Sequence, residues 1–160
     1  MKAIVAAWDA GGLDAKFKAL WPDPTSAEFV VLHDQEASPK QPLPYCVLNQ
    51  LTGRTICRMS GGANKVREVR DHQFSFNVQA TEVAGDSRSS KQVAAYLAEE
   101  IMKVFGGHPT DAASALTLDN GNALLSEYQT DYGVRIDEFD DNRFTWVVSY
   151  VVRVDVPVMA

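Results

Sequence analysis

Alternating hydrophobic and polar residues mark two long strands. Between residues 73 and 80, apolar side chains occupy the even positions and polar side chains the odd ones. Near the end, six consecutive even positions from Trp146 to Val156 are apolar, and residues 122–138 lead into this stretch through an acidic turn at 139–142. Such alternation predicts strands with one face on the core. The other face of the last strand, with Ser149, Arg153 and Asp155, is expected to meet solvent or a partner.

Shorter apolar runs predict further strands in the first half of the chain. EFVVLHD at 28–34 lies among five of the seven prolines, and PYCVLNQL spans 44–51. TICRM at 55–59 suits a short return strand, and SGGAN at 60–64 has the composition of a turn. Residues 52–64 are therefore expected to form a loop or a protruding hairpin.

Two segments have the spacing of helices. In the first 21 residues, apolar positions recur at helical intervals on both sides of Gly11-Gly12, and Pro22 ends the pattern. In the second, Ser89 and Gln92 have the spacing of a capping box before an apolar stripe, and Gly106 suits the C-terminal cap. The stripe is expected to lie across the sheet.

This order of elements predicts an α+β fold. We expect a mainly antiparallel β-sheet with two main helices packed on one face, in a single domain over residues 1–160. LTLDNGNALL at 116–125 adds a hairpin-turn signal at Asn120-Gly121. No repeat or interdomain linker interrupts the pattern.

Composition narrows the functional class. Hydrophobic residues make up 46% of the chain and the formal net charge is −6, which suits a globular protein and disfavours extensive or sequence-specific nucleic-acid binding. The apolar run Ala3–Trp8 is too short for a membrane span or a signal-peptide core, so an intracellular protein is expected. Cys46 and Cys57 are predicted to be buried free thiols rather than a disulfide.

Catalytic and metal-binding patterns are weak. His33, His72 and His108 lack metal-ligand spacing, and the acidic stretch 137–142 lacks the glycine and distal glutamate of a calcium loop. Ser60 has no nucleophile motif around it, and a Cys46–His72 pair is less favoured than a cysteine buried in a strand. We therefore predict no enzyme activity, no metal and no cofactor.

Charge is distributed unevenly. Residues 54–70 carry a charge of about +4, and residues 111–160 about −6. Three interpretations stay open. The two regions could be separately solvated strand faces, or they could favour a head-to-tail contact between copies of the chain. Local nucleic-acid contact by the basic region is the third, and no aromatic residues are interleaved there to support it.

The combined layout resembles the small tail-terminator, or tail-completion, proteins of long-tailed bacteriophages. The likeness rests on the N-terminal helix, the Pro-rich lead into PYCVLNQ, the glycine-bearing excursion, the strand HQFSFNVQAT, the helix SRSSKQVAAYLAEEIMKVF and the final VVSYVVRVDVPV. It covers most of the chain through motifs of low specificity. The stretch 106–142 is longer than in smaller members of that family.

The resemblance implies a structural role in the virion. Such proteins form a ring, usually of six subunits, that caps the tail tube, stops its polymerisation and offers a surface for head joining. The implied partners are the chain itself, the tail tube protein and a head-completion or connector protein. Assembly would occur in the cytoplasm of the bacterial host, with a final location at the neck or tail end of the virion.

Only the excursion at 52–64 corresponds to a feature of that family that contacts neighbouring ring or tube subunits. The predicted interface residues are Arg54, Arg58, Gly61, Gly62 and Arg67, chosen because basic residues cluster there. Apolar side chains needed to hold subunits together could come from Val147 and Val151 or from Ile4, with Trp8 assigned to the core. Another connector or head-completion protein is the near alternative, and a small intracellular enzyme or ligand-binding domain is the distant one.

Overall fold

A computed structural model describes residues 1–23, 29–38, 40–50, 53–61, 65–106, 116–118, 122–136 and 143–158. Within them the chain forms three helices and six strands. The helices are α1 (Lys2–Ala10), α2 (Leu13–Lys18) and α3 (Ser90–Phe105). The strands are β1 (Leu32–Asp34), β2 (Tyr45–Gln50), β3 (Arg54–Gly61), β4 (Lys65–Ala80), β5 (Ala123–Ile136) and β6 (Phe144–Val158).

All six strands form one sheet in the order β1-β2-β4-β6-β5, with β3 also paired to β4. Every pairing is antiparallel except that of β1 with β2. β6 runs along one side of β4 from Val66 to Ala80. On the other side, β2 pairs with residues 74–79 and β3 with residues 65–71. β2 and β3 therefore follow each other along the same edge of β4.

The helices cover one face of the sheet, which confirms the predicted α+β arrangement. Even-numbered residues of β4 and β6 meet the apolar stripe of α3 in one cluster, and Phe76 at its centre is 0% exposed. The rings of Trp8 and Phe105 lie with their centroids 5.7 and 4.8 Å from that of Phe76. Apolar groups that each element would expose alone are thereby removed from water.

Helix α3 begins and ends as its sequence predicts. The backbone N–H of Ser89 donates to Oε1 of Gln92 at 2.9 Å, and Oγ of Ser89 accepts from the backbone N–H of Gln92 at 3.4 Å. These bonds satisfy donors that a helix start leaves unpaired. Gly106 follows the helix with φ +91°, a conformation that favours glycine. Its carbonyl accepts a 2.8 Å hydrogen bond from the hydroxyl of Tyr150, which ties the helix end to β6.

The predicted N-terminal helical region is divided at its glycine pair. Gly12 has φ +63°, so the chain turns there and α2 starts in a new direction. Trp8 donates its indole N–H to Oδ1 of Asp14 at 2.7 Å across this turn. Ile4, Trp8 and Phe17 are all buried, so the predicted core position of Trp8 is confirmed and Ile4 belongs to the core as well.

Gly11 is expected to tolerate no side chain because α1 lies against α3 at this point. A Cβ atom on Gly11 would lie 2.5 Å from Cγ2 of Val104, closer than real Cβ contacts. We expect Gly11→Ala to lower the free energy of unfolding by about 1–3 kcal/mol through overpacking, as measured by urea denaturation. Gly133→Ala is the control, since nothing lies within 4 Å of the added atom. Equal stability of the two variants would contradict the tight α1–α3 contact.

Some predictions are wrong or are only partly met. The strand predicted at 28–34 is limited to Leu32–Asp34, and residue 28 lies outside the described residues. The hairpin alternative for 52–64 is confirmed, because β3 pairs with β4 as far as Gly61 and Lys65. Cys46 is buried as predicted, whereas Cys57 is exposed since it lies on the outer strand β3. The turns predicted at 120–121 and 139–142 fall outside the described residues.

Candidate subunit interface

The predicted interface lies where β3 and the first half of β4 extend the sheet beyond β2. Because β4 keeps a continuous register with β6, even-numbered residues of β4 share the face of the helices and odd-numbered residues the opposite face. Arg58 lies opposite Glu68 on the helix-side face, and Arg67 lies on the other. The clustered arginines are thus divided between the two faces.

On the helix-side face, Glu68 is held between two arginines. Nε of Arg58 donates to Oε1 of Glu68 at 2.8 Å, and Nε and Nη2 of Arg70 donate to Oε2 at 2.9 and 2.6 Å. The two guanidinium groups cover the carboxylate, which leaves Glu68 only 3% exposed. Hydrogen bonds from Arg70 and Arg58 lower the pKa of Glu68. The Arg58 side chain itself stays 68% exposed and keeps a surface for other contacts.

On the opposite face, basic and acidic side chains pair between β4 and β6. Nε of Arg67 donates to both carboxylate oxygens of Asp155 at 2.8 Å. Nε and Nη2 of Arg153 donate to the two oxygens of Asp71 at 2.8 and 3.0 Å, and the hydrogen bond from Arg153 lowers the pKa of Asp71. Arg54 lies opposite Asp71 in β3, and no ion pair involves Arg54 within the part of the chain described.

These pairs change the interpretation of the charge pattern. Part of the basic region 54–70 and part of the acidic region 111–160 neutralise each other inside one subunit, through Arg67–Asp155 and Asp71–Arg153. The two regions are therefore not wholly separate charged sides. Arg54 and the exposed surface of Arg58 remain the basic groups that a neighbour could reach.

The five predicted interface residues have different positions. Arg54 and Arg58 are exposed on β3, and Arg67 is half-buried in its pair with Asp155. Gly61 is the last residue of β3 and pairs with Lys65. Gly62 lies outside the described residues. The structure brings Arg54 and Arg58 together on one strand and places Arg67 on the next.

Sequence reasoning missed the acidic partners of these arginines. Asp71 and Asp155 are separated from their partners by 82 and 88 positions, and only the register of β4 with β6 brings them together. The surface character of β3 was missed too. Ile56, Cys57 and Met59 are exposed on it, so the strand presents apolar as well as basic side chains. Its Arg-Thr-Ile-Cys-Arg-Met sequence was the available signal.

Both outer strands are interrupted by bulges. In β3, Thr55 pairs with Arg70 and Cys57 with Val69, so Ile56 has no residue opposite it in β4. In β5, Gln129 pairs with Tyr150 and Asp131 with Ser149, which leaves Thr130 without an opposite residue in β6. Among the described residues, neither outer strand has a second strand partner, so each presents unpaired backbone groups at the sheet edge.

Acidification is expected to destabilise the hairpin region. The folded-state pKa values of Glu68 and Asp71 lie below their ordinary values of 4.5 and 3.8. Their contribution is therefore complete above about pH 4.5 and is lost as the pH falls through the lowered values. Urea denaturation across this range should show a falling free energy of unfolding.

The matched variants separate these two carboxylates from the rest. Glu68→Gln with Asp71→Asn should weaken the pH dependence, whereas Glu99→Gln on the exposed side of α3 should leave it unchanged. An equally steep acid dependence in the double variant would show that the hairpin ion pairs are not its source.

Comparison with protein-family models and with curated proteins finds no match for this sequence. Over the residues described, no group of three or more His, Cys, Asp or Glu side chains is placed to hold a metal ion. None of the described helices combines the length and apolar character needed to cross a membrane.

Proposed function

We propose that this protein is the subunit of a closed ring that caps the tail tube of a long-tailed bacteriophage, with six subunits in the assembled particle. In that position it would halt tube polymerisation and offer a surface to a head-completion or connector protein. The role is structural rather than catalytic. Assembly takes place in the host cytoplasm and the ring ends at the neck of the virion.

One observation carries the proposal: the sheet ends in two different unpaired strands, β3 on one side and β5 on the other. An unpaired strand edge is a template for another chain. Because the two edges differ, contact between β3 of one subunit and β5 of the next is head-to-tail, and such contacts close into a ring when the rotation allows. A contact of either edge with itself would stop at a dimer.

The charges of the two edges favour this pairing. β3 carries Arg54 and Arg58, whereas β5 carries Glu127 and Asp131 against Arg135. Exposed ion pairs contribute only about 0–1 kcal/mol each, so charge would select the correct edge rather than hold the ring. Ile56 and Met59 on β3 offer apolar area toward the roughly 800 Å² per partner of a stable interface.

Disulfide trapping tests the pairing. Cys57 supplies an exposed thiol on β3, and Cys46 is buried. Thr130→Cys places a second thiol on the outer side of β5, about 14 Å from β3 within one subunit at three strand spacings, which is too far for an internal disulfide. Mild oxidation should give a ladder of covalent oligomers that ends at the ring, and electron microscopy should show rings alone and at the ends of tail tubes.

Removing either thiol provides the control. Thr130→Cys combined with Cys57→Ser should lose the ladder and form at most dimers through two engineered thiols. Ladder formation that persists without Cys57 would rule out contact between β3 and β5. Rings that form but leave tail tubes uncapped would preserve the edge contact and reject the terminal role in the tail.

A further inference from the structure

A polar cavity of about 340 Å³ opens on the face of the sheet away from the helices. It lies between the turn at 35–37 and the odd-numbered residues of β2 and β4, with the side chain of Arg143 at its margin. The lining is mostly amide-bearing or charged, and comprises Gln35, Glu36, Ala37, Tyr45, Val47, Asn49, Asn77, Gln79 and Arg143. This cavity is separate from β3 and from the ion pairs of the hairpin.

Arg143 is the unusual member of this lining. Its guanidinium lies over the ring of Tyr45, 5.4 Å from the centroid, and Nη2 donates to the Tyr45 hydroxyl. That hydroxyl donates in turn to Oε1 of Gln79 at 2.8 Å. Tyr45 thus fixes the guanidinium from the ring and from the hydroxyl. Nε of Arg143 is buried and has no hydrogen-bond acceptor.

Arg143 also lacks an ionic partner among the described residues. Five other arginines each contact a carboxylate within 4.0 Å: Arg58, Arg67, Arg70, Arg88 and Arg153. Glu36 is the carboxylate in the cavity lining, and it forms no ion pair with Arg143 there. A half-buried cation with a buried, unsatisfied N–H is costly until an anion reaches it. Carboxylates match the guanidinium fork, so the cavity is suited to one.

The remaining lining specifies more than a charge. The amides of Asn49, Asn77 and Gln79 can both donate and accept hydrogen bonds, as ligand hydroxyls also do. Gln35 brings a fourth amide to the rim. It is held there with φ +67°, an uncommon conformation for a residue other than glycine, and its backbone N–H donates to the Leu48 carbonyl at 3.0 Å. Few apolar groups face the cavity, which disfavours an apolar ligand.

We propose that this cavity binds a small hydroxylated carboxylic acid of monosaccharide size. The carboxylate contacts the guanidinium of Arg143 through Nε, and the ligand hydroxyls meet the amides of Asn49, Asn77 and Gln79. Tyr45 is a positioning residue for Arg143. The site involves neither β3 nor β5, so it is independent of ring formation.

The test uses glucuronate as the probe, titrated into the full chain and followed by amide chemical shifts. We expect shifts centred on residues 35–37, 45–49 and 77–79. Glucose lacks the carboxylate and acetate lacks the hydroxyls, so each should bind at least roughly 10-fold more weakly. Shifts that centre elsewhere, or no binding of glucuronate, would overturn the proposal. Acetate as tight as glucuronate would overturn the part that concerns hydroxyls.

Matched variants assign the charge. Arg143→Gln should weaken glucuronate binding roughly 10- to 100-fold, whereas Arg153→Gln, which removes a paired arginine on the same face, should leave it unchanged. Glu36→Gln should tighten binding because it removes a nearby carboxylate without touching Tyr45 or Arg143. Equal affinity in all three variants would exclude Arg143 as the anion site.

A carboxylate presented by a second copy of the chain is the other source of this chemistry. In that case Arg143→Gln would weaken self-association in sedimentation experiments while glucuronate failed to bind. That pair of results would replace the small-molecule proposal with a protein contact. Glucuronate binding to wild type at unchanged molecular mass supports the small-molecule site.

Discussion

Phe76→Ala is expected to lower the free energy of unfolding by about 3–5 kcal/mol. Phe76 is 0% exposed, and its ring packs against Trp8 from α1, Phe105 from α3 and Tyr150 from β6, with centroids 4.8 to 6.3 Å away. Its removal leaves a cavity where both main helical segments meet the sheet. The surrounding rings cannot close that space without moving a helix, so the loss should lie in the upper part of the usual range.

Phe144→Ala provides the matched comparison. Phe144 is only partly buried at the start of β6, and it packs at the border of the same cluster. Its truncation should cost clearly less, as measured by urea denaturation of both variants with the slopes compared. A loss below about 1 kcal/mol for Phe76→Ala would show that the helices do not depend on this position.

Thr130→Pro is expected to prevent self-association while leaving the subunit folded. Thr130 is exposed in the bulge of β5 and has no residue opposite it in β6, a position where a strand accepts proline. Proline removes a backbone donor from the strand and introduces a bulky ring at the edge. If β5 receives a strand from a neighbouring subunit, sedimentation should show a fall of at least roughly tenfold in the association constant.

Two further variants separate an edge effect from a folding effect. Thr130→Ser keeps the backbone donor and should assemble like wild type, whereas Thr130→Lys adds a charge to the edge and should oppose assembly without altering the backbone. Far-ultraviolet circular dichroism checks that each variant is folded. Normal rings from both the proline and the lysine variants would contradict the use of β5 as a subunit contact.

The elements predicted most successfully are those whose pattern is local and long. Alternation around Phe76 in β4 and around Tyr150 in β6 places every second side chain in the core, which a single reading of the sequence can detect. The capping box at Ser89 is equally local. β1 was predicted too long because its apolar run includes Phe29 and Val30, which lie outside the strand.

The candidate sites could not be predicted in the same way because they depend on register. Asp155 reaches Arg67 only through the antiparallel pairing of β4 with β6, and nothing near either residue in the sequence indicates the other. The polar cavity likewise combines Gln35, Tyr45, Gln79 and Arg143 from four distant parts of the chain. In the sequence, the amides of β4 simply look like the wet face of a strand.

The bulges in β3 and β5 bear on how many copies can join. A bulge bends its strand and increases the local twist, so two edges that each contain one cannot stack as flat, straight ribbons. Curvature accumulates with every added copy until the last meets the first. Irregularities at Ile56 and Thr130 would thus set a finite subunit number, where two smooth edges would permit an endless fibre.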